Sequence, residues 1–333
     1  MNKKAFEIQF NWLFVLVAGA AILLFFTFIA VKQKSISDTS AKAIVLKSIE
    51  AIITGTIASA DTTNIIDIPN SEIEISCGRV SLGAMSKQYQ SMILFAPSTI
   101  KGSKLITQTS MFNVPYRAVN LLYITSPDVR YIIIGESALA KEINKSLPKD
   151  IRKEFYPYLT PPLIRNQNNY KVRFIFFDNI DETVLENFKS MLNSDVTAIN
   201  VIEEDEESGT IVFYQKNELS WDELKTEPYL TSSLLLGAVY SDTPEAYNCN
   251  ANNAFARLRL ITQVYSERTT ILKDIEDDQC RQIYDAALDE LNDIFIASSG
   301  FDEEGNIETI AAAVKSLSIK NKEAQKSSCT LIY

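Results

Sequence analysis

Two Ser-x-x-Lys tetrads, Ser98 to Lys101 and Ser146 to Lys149, carry the spacing that a serine–lysine enzyme uses to set nucleophile and base on one helical turn. Gly102 after the first and Pro148 inside the second oppose a helix through either, so neither predicts catalysis. The stretch EEDEESG, residues 203–209, offers carboxylates to a calcium ion but reads more simply as a solvated hairpin turn. Asn144-Lys145-Ser146 is an N-glycosylation sequon, which makes Asn144 a candidate for modification on an outward-facing surface.

Histidine is absent from the chain, and with it go the commonest zinc ligand, the usual general base and every Ser-His or Cys-His arrangement. No Gly-rich phosphate loop and no GxSxG elbow is present. The expectation is a protein without catalysis, cofactor or resident metal. The chemistry left open needs paired carboxylates, a Ser-Lys dyad or an oxygen-ligated metal, and the enzyme alternative is a membrane-bound hydrolase or glycan-active enzyme using carboxylates. Net charge is −10 and the basic residues are scattered, which argues against nucleic acid as a partner.

Four cysteines, Cys77, Cys249, Cys280 and Cys329, lack the close spacing of a metal site and are candidate disulfides of an oxidising compartment. The other reading is four buried thiols in a cytosolic domain. A helix from Pro244 to Lys273 would hold Cys249 about 35 Å from its far end, while the seven residues leading on to Cys280 reach back only about 24 Å. Cys249 and Cys280 should therefore not pair. A third helix antiparallel to the second would return Cys329 to Cys280 and leave Cys77 for Cys249.

The elements that must carry these residues begin with an apolar run, Trp12 to Val31, of twenty residues. At about 1.5 Å per residue it spans roughly 30 Å, so residues 12–31 are expected to cross a lipid bilayer. A cleavable secretory signal is the alternative, with an apolar core usually shorter than this one. Lys3, Lys4 and the terminal amine precede the span, while Lys32 and Lys34 follow it. That small excess favours an N-terminus inside and a body outside the cell membrane.

The remaining residues are apolar enough to fold, with 46% hydrophobic residues across the chain. Residues 39–57 predict a helical stalk that Gly55 weakens or ends. From Ile65 the pattern alternates, setting Ile73 and Ile75 on one face and Glu72 and Glu74 on the other. Further strands are predicted at 91–95, 105–109 and 131–134, with a short helix at 137–145. The stretch FYPYLTPPLIRNQNN is irregular, a boundary or a crossing loop. Beyond it, KVRFIFF, ETVLENFKSML, VTAINVIEE and GTIVFYQK predict a βαββ unit, its helix burying Val184, Leu185, Phe188, Met191 and Leu192. Three amphipathic helices follow at 244–273, 278–298 and 307–319, the first with Thr243 as N-cap.

The expected fold is α+β. A short inside tail and span cover 1–34, a stalk 35–60, a β-rich region 61–160, the βαββ unit 161–225 and an antiparallel helical bundle 226–333.

Two resemblances add to this. KKAFE ahead of the apolar run resembles archaeal type IV pilin and archaellin signals. It implies cleavage after Ala5, leaving Phe6 first and Glu7 second, with Glu7 neutralised by a neighbouring subunit's amine. Bacterial pilins carry that glutamate at the fifth position, and the plainer reading has Glu7 favoured by the dipole at a helix N-terminus. The opening MNKKAFEIQFNWLFVLVAGAAILLF, the mid-chain MFNVPYRAVNLLYITSP and VYSDTPEAYNCNANNAFARLRLITQVYSER with Cys280 after it together resemble an uncharacterised group of single-pass membrane proteins of small-genome archaea. The likeness is loose in the βαββ unit and does not extend to Cys329. It implies an envelope protein with a short inside tail and an outward body, and it supplies no activity. The expected role of that body is protein binding or surface self-assembly.

Overall fold

The computed structural model describes residues 3–89, 92–167, 169–205, 207–301 and 305–333 and, within the first helix, the side chains of residues 12, 15–33, 40, 42–51 and 55. The chain divides into two units, residues 1–49 and 50–333.

The first unit is helical. Helix α1 runs unbroken over Lys3–Ala58, so the expected span and stalk are one element. Its window Val15–Gln33 has a mean hydropathy of 2.4 and no buried share, long and apolar enough to cross a membrane. The Thr27 hydroxyl inside this window donates to the Leu23 carbonyl at 2.6 Å, so its polar group is satisfied within the helix. Gly55 does not end the helix, which continues to Ala58.

The second unit holds two mixed sheets. Strands β1 (Thr63–Ser76), β2 (Arg79–Leu82), β3 (Met85–Gln88), β4 (Leu94–Phe95), β5 (Thr99–Asn113) and β6 (Arg117–Thr125) form the first, in the order β3-β2-β1-β5-β6-β4. In β1 the alternation is as expected: Ile73 and Ile75 are buried, Glu72 and Glu74 exposed. Pro69 sits at a register shift between Asp67 and Ser71, where no ladder N–H is required of it.

The second sheet follows from β7 (Val129–Ile134), helix α2 (Ala138–Ser146) capped by Ser137, β8 (Arg152–Tyr156), β9 (Lys171–Phe176), β10 (Val196–Glu203), β11 (Ser208–Asn217) and β12 (Ser220–Leu230). Its order is β12-β11-β10-β9-β7-β8, and β8, β7, β9 and β10 are parallel. The proline-rich stretch is the crossing from β8 to β9 within this one sheet. Strands β7 and β9 are buried throughout because the sheet is covered on both sides. Tyr131, Ile133, Ile175 and Phe177 enter the large core shared with the first sheet and the helices. Ile132, Ile134, Val172, Phe174 and Phe176 enter a second cluster with Val184, Leu185, Phe188 and Trp221.

The connection from β9 to β10 corrects one expectation. Residues Glu182–Phe188 form a 3-10 helix, followed by a second short one at Asn193–Asp195, and Leu192 is 71% exposed. A parallel pair needs a crossover of a dozen or more residues, but that crossover need not be an α-helix. The tighter 3-10 turn buries Val184, Leu185 and Phe188, and the chain then swings outward before Leu192.

The C-terminal region holds four helices: α3 (Thr231–Tyr240), α4 (Pro244–Ile275), α5 (Asp278–Ala297) and α6 (Asn306–Lys326). Helices α4, α5 and α6 pack in sequence against one another. Strand β12 runs to Leu230, inside the region expected to be helical. Its residues Asp222 to Thr226 are exposed, as suits a charged edge strand, and they mask the alternation that would mark it. Helix α3 is buried from Ser233 to Tyr240 and packs on β4, β5, β6 and β12. Being apolar all round, it lacks the stripe that reveals a surface helix. At Gly237 an added Cβ would lie 2.8 Å from the Phe95 ring, so this glycine admits the ring to the helix surface.

Candidate functional site

The cysteines form two disulfides. Cys77 follows β1 in its turn to β2, where Gly78 takes a φ of 64°, and Cys249 lies in the second turn of α4. Their Cα atoms are 5.9 Å apart. The Asn253 amide nitrogen, one turn along α4, is 3.9 Å from the Cys249 sulfur and 4.0 Å from that of Cys77. Cys280, in the first turn of α5, pairs with Cys329 beyond the end of α6, with Cα atoms 5.7 Å apart. Helix α4 is unbroken, so Cys249 near its start is held far from Cys280 beyond its end, and the pairing is the one expected from that length together with the antiparallel return of the last helix. Asp277 caps α5 by accepting the Cys280 N–H at 3.0 Å, which places that sulfur against the returning chain.

Neither Ser-x-x-Lys tetrad is assembled as a dyad. Lys101 reaches outward from β5 to Glu72 at 3.3 Å. The Ser146 hydroxyl donates to the Glu142 carbonyl at 2.9 Å, and Lys149 lies beyond the end of α2. Ser98 instead meets Asp242, in the link between α3 and α4. Its N–H donates to Oδ1 at 2.8 Å and its hydroxyl to Oδ2 at 2.8 Å. The Lys171 ammonium at the head of β9 donates to the same Oδ2. Lys171 and Asp242 are both buried, at 4% exposure each, so this knot ties the first sheet, the second sheet and the helical region together. Sequence reasoning missed it, because Asp242 lies 144 residues from Ser98 and 71 from Lys171 and no local pattern joins them. A serine–lysine base requires a neutral amine facing the hydroxyl. Here the carboxylate stands between the two.

A second ion pair, between a buried arginine and a half-buried glutamate, lies in the parallel sheet. Arg130 of β7, fully buried, donates to Glu154 of β8 through Nε at 2.8 Å and Nη2 at 2.7 Å. The Tyr156 hydroxyl adds a bond to Glu154 Oε2 at 2.8 Å. Burial alone would raise the Glu154 carboxyl, but these bonds and the charges of Arg130 and Arg152 hold it below its ordinary value. Arg173 of β9 is also buried, donating to the carbonyls of Ala238 at 2.9 Å and Ala198 at 3.3 Å and lying 5.3 Å from the Phe213 ring.

Open parallel sheets take ligands where successive connections leave in opposite directions, outside the carboxyl ends of the strands. That point lies between β7 and β9. It is tightly closed: the Phe177 N–H donates to the Ile134 carbonyl at 2.9 Å, and a Cβ at Gly135 would stand 2.6 Å from that of Phe177. The carboxylates bordering it are Glu136, Asp178 and Asp181, and Asp181 accepts the Thr183 N–H at 2.7 Å as a cap. Among the described residues no group of three acidic or cysteine side chains is arranged to hold a metal ion. A shallow cleft of ≈ 680 Å³ opens elsewhere on the sheet, lined by Met191, Leu192, Lys216 and Leu219 among others. Lys216 is not free within it, since its ammonium donates to the Met191 carbonyl at 2.8 Å and Asn193 Oδ1 at 3.1 Å.

Asn144 is half-buried in the last turns of α2, its carbonyl accepting from the Lys153 ammonium. The backbone at Ala5, Phe6 and Glu7 is helical, and their side chains lie outside the described residues. Glu206 of the acidic turn lies outside them as well. No protein-family model, no curated protein and no solved structure matches the chain.

Proposed function

We propose that the chain is a single-pass cell-membrane protein with its N-terminus inside and an outward body that serves protein binding or surface assembly, not catalysis. The observation that carries this reading is the coincidence of two disulfides in the body with an N-terminal apolar helix that has no buried share. Disulfides persist in oxidising compartments, so they suggest an extracytoplasmic body, and the apolar helix is the element able to insert in a bilayer. The reading of residues 12–31 as a permanent span rests on their length, and the orientation on Lys3 and Lys4.

Alkylation of native membranes without reduction tests it. All four cysteines should resist labelling until a reductant is added. Four thiols labelled at once would overturn the outward orientation.

A type IV pilin-like subunit is the second reading. It draws on KKAFE and on the unbroken α1, since a filament stem is a long continuous helix. Mass spectrometry of the native N-terminus separates the two. A chain starting at Phe6 supports the filament stem, and a chain starting at Met1 or Asn2 supports the simple anchor.

A further inference from the structure

Among the described residues, four that are not glycine have a φ between 53° and 72°. Three sit where this is ordinary. Asp61 lies in the link from α1 to β1, Glu218 in the turn from β11 to β12, and Ser328 ends α6, where the Cys329 N–H closes back on the Ala324 carbonyl at 2.9 Å. The fourth is Thr231, at 72°, and a β-branched residue there is a genuine outlier. Its cause is the junction it occupies: β12 ends at Leu230 and α3 begins at Thr231, with no residue between to absorb the turn. Leu230, Leu234 and Leu235 are buried on either side, and the Thr231 N–H is held by the Glu207 carbonyl, so neither element can rotate to relax it.

The strain lies beside a nucleophile. At an ordinary φ of about −60° a residue's Cβ points away from the preceding carbonyl carbon, whereas at 72° the two are only about 50° from eclipsed about the N–Cα bond. Oγ1 then needs only a rotation about Cα–Cβ to close a five-membered ring on the Leu230 carbonyl carbon. Ser233 Oγ lies 2.7 Å from Thr231 Oγ1, placed to accept its proton as that attack begins. Thr231 itself is half-buried, so water reaches it.

We propose that the chain cuts itself between Leu230 and Thr231. Thr231 Oγ1 attacks the Leu230 carbonyl carbon, the C–N bond breaks, the hydroxyl proton ends on the Thr231 nitrogen, and Leu230 becomes an ester on Oγ1. Water then hydrolyses the ester, giving a Leu230 carboxylate, a restored Thr231 hydroxyl and a new N-terminal amine. One water is consumed. The strained φ favours the first step, because the ester no longer holds an amide plane against Cβ. Self-cleavage happens once per chain and needs no substrate cleft.

The rest of the body is built to survive the cut. Residues 1–230 carry both sheets and residues 231–333 the four C-terminal helices. Cys77–Cys249 joins the two parts, while Cys280–Cys329 lies within the second. Ser98 and Lys171 of the first part bond Asp242 of the second, and α3 stays buried on β4, β5, β6 and β12. The cut is therefore silent until the protein is both reduced and unfolded.

The test uses the full chain, purified in detergent and weighed by mass spectrometry in denaturant before and after reduction. Before reduction one species is expected. After it, wild type should separate into two chains, the smaller being residues 231–333 with Thr231 at its N-terminus. Thr231→Val keeps the branching and the strain but has no hydroxyl, and should stay whole. Thr231→Ser keeps the nucleophile and should still cut. Non-reducing peptide maps should show both disulfides in the valine variant, so that its intact chain reports the missing hydroxyl and not a lost fold. Wild type that remains one chain after reduction, a cut at any other bond, or equal cutting in the valine variant would overturn the proposal. The smaller chain is read by itself, so processing after Ala5 and the orientation of the membrane helix do not bear on the result.

Discussion

Cys77, in the first hairpin of the body, and Cys249, in the second turn of the long helix, are joined across 172 residues of sequence with their Cα atoms 5.9 Å apart. On the loop-entropy account a closure of that length stabilises by about 5 kcal/mol, and the 49-residue closure from Cys280 to Cys329 by about 4 kcal/mol. Cys77→Ser/Cys249→Ser should therefore lower stability more than Cys280→Ser/Cys329→Ser. Denaturant midpoints of the two variants check the order, and non-reducing peptide maps should show only these two linkages.

The knot at Asp242 predicts an asymmetry. Asp242→Ala leaves the buried Lys171 ammonium unpaired and should cost about 3–5 kcal/mol. Lys171→Met combined with Asp242→Asn removes both charges, keeps an acceptor for Ser98, and should cost less than Asp242→Ala alone. Ser98→Ala, which keeps the backbone bond, should cost about 1 kcal/mol. Urea titrations of the four proteins decide between this ordering and an exposed, dispensable pair.

Glu154 sets part of the acid limb of stability. Its folded carboxyl titrates below the unfolded one because Arg130 and Tyr156 bond its charged form. Its contribution is complete above the unfolded value of about 4.3 and is lost as pH falls through the lower folded value. Glu154→Gln should flatten the decline of melting temperature over that interval and leave the protein weaker than wild type at pH 7.

The alkaline limb belongs to the buried phenols. Burial pushes Tyr123, Tyr131, Tyr240 and Tyr247 above the ordinary tyrosine value. The folded state holds these protons while the unfolded chain releases them, so stability should fall as pH rises through about 10. Phenolate absorbance should show these tyrosines ionising only as the fold is lost.

Gly237→Ala should cost about 1–3 kcal/mol, because the new methyl meets the Phe95 ring at 2.8 Å. Adding Phe95→Leu should recover part of that loss in a denaturation experiment, although either change alone destabilises.

Much of the fold was legible because its signals are local. Alternation in SEIEIS marks β1, unbroken apolar runs mark β7 and β9, and Thr243-Pro244 marks the start of α4. The disulfide pairing followed from two expectations, a continuous α4 that separates Cys249 from Cys280 and a third helix that returns Cys329 to Cys280. Strand β12 and helix α3 stayed hidden because an edge strand carries charge and an all-apolar helix carries no periodicity. Residues 182–188 misled because the spacing of Val184, Leu185 and Phe188 fits a 3-10 turn as well as an α-helix.

The sequence by itself determined an apolar helix able to span a bilayer, a mixed α+β body, a chain without histidine, and four cysteines too widely spaced for a metal site. These follow from composition, period and the rigid rise of a helix. Only the tertiary structure decided that Ser98 faces Asp242 instead of Lys101 and that Arg130 grips Glu154. Such facts depend on how distant segments stack, and the energy that selects a stacking is summed over the whole core, where no single stretch of sequence records it.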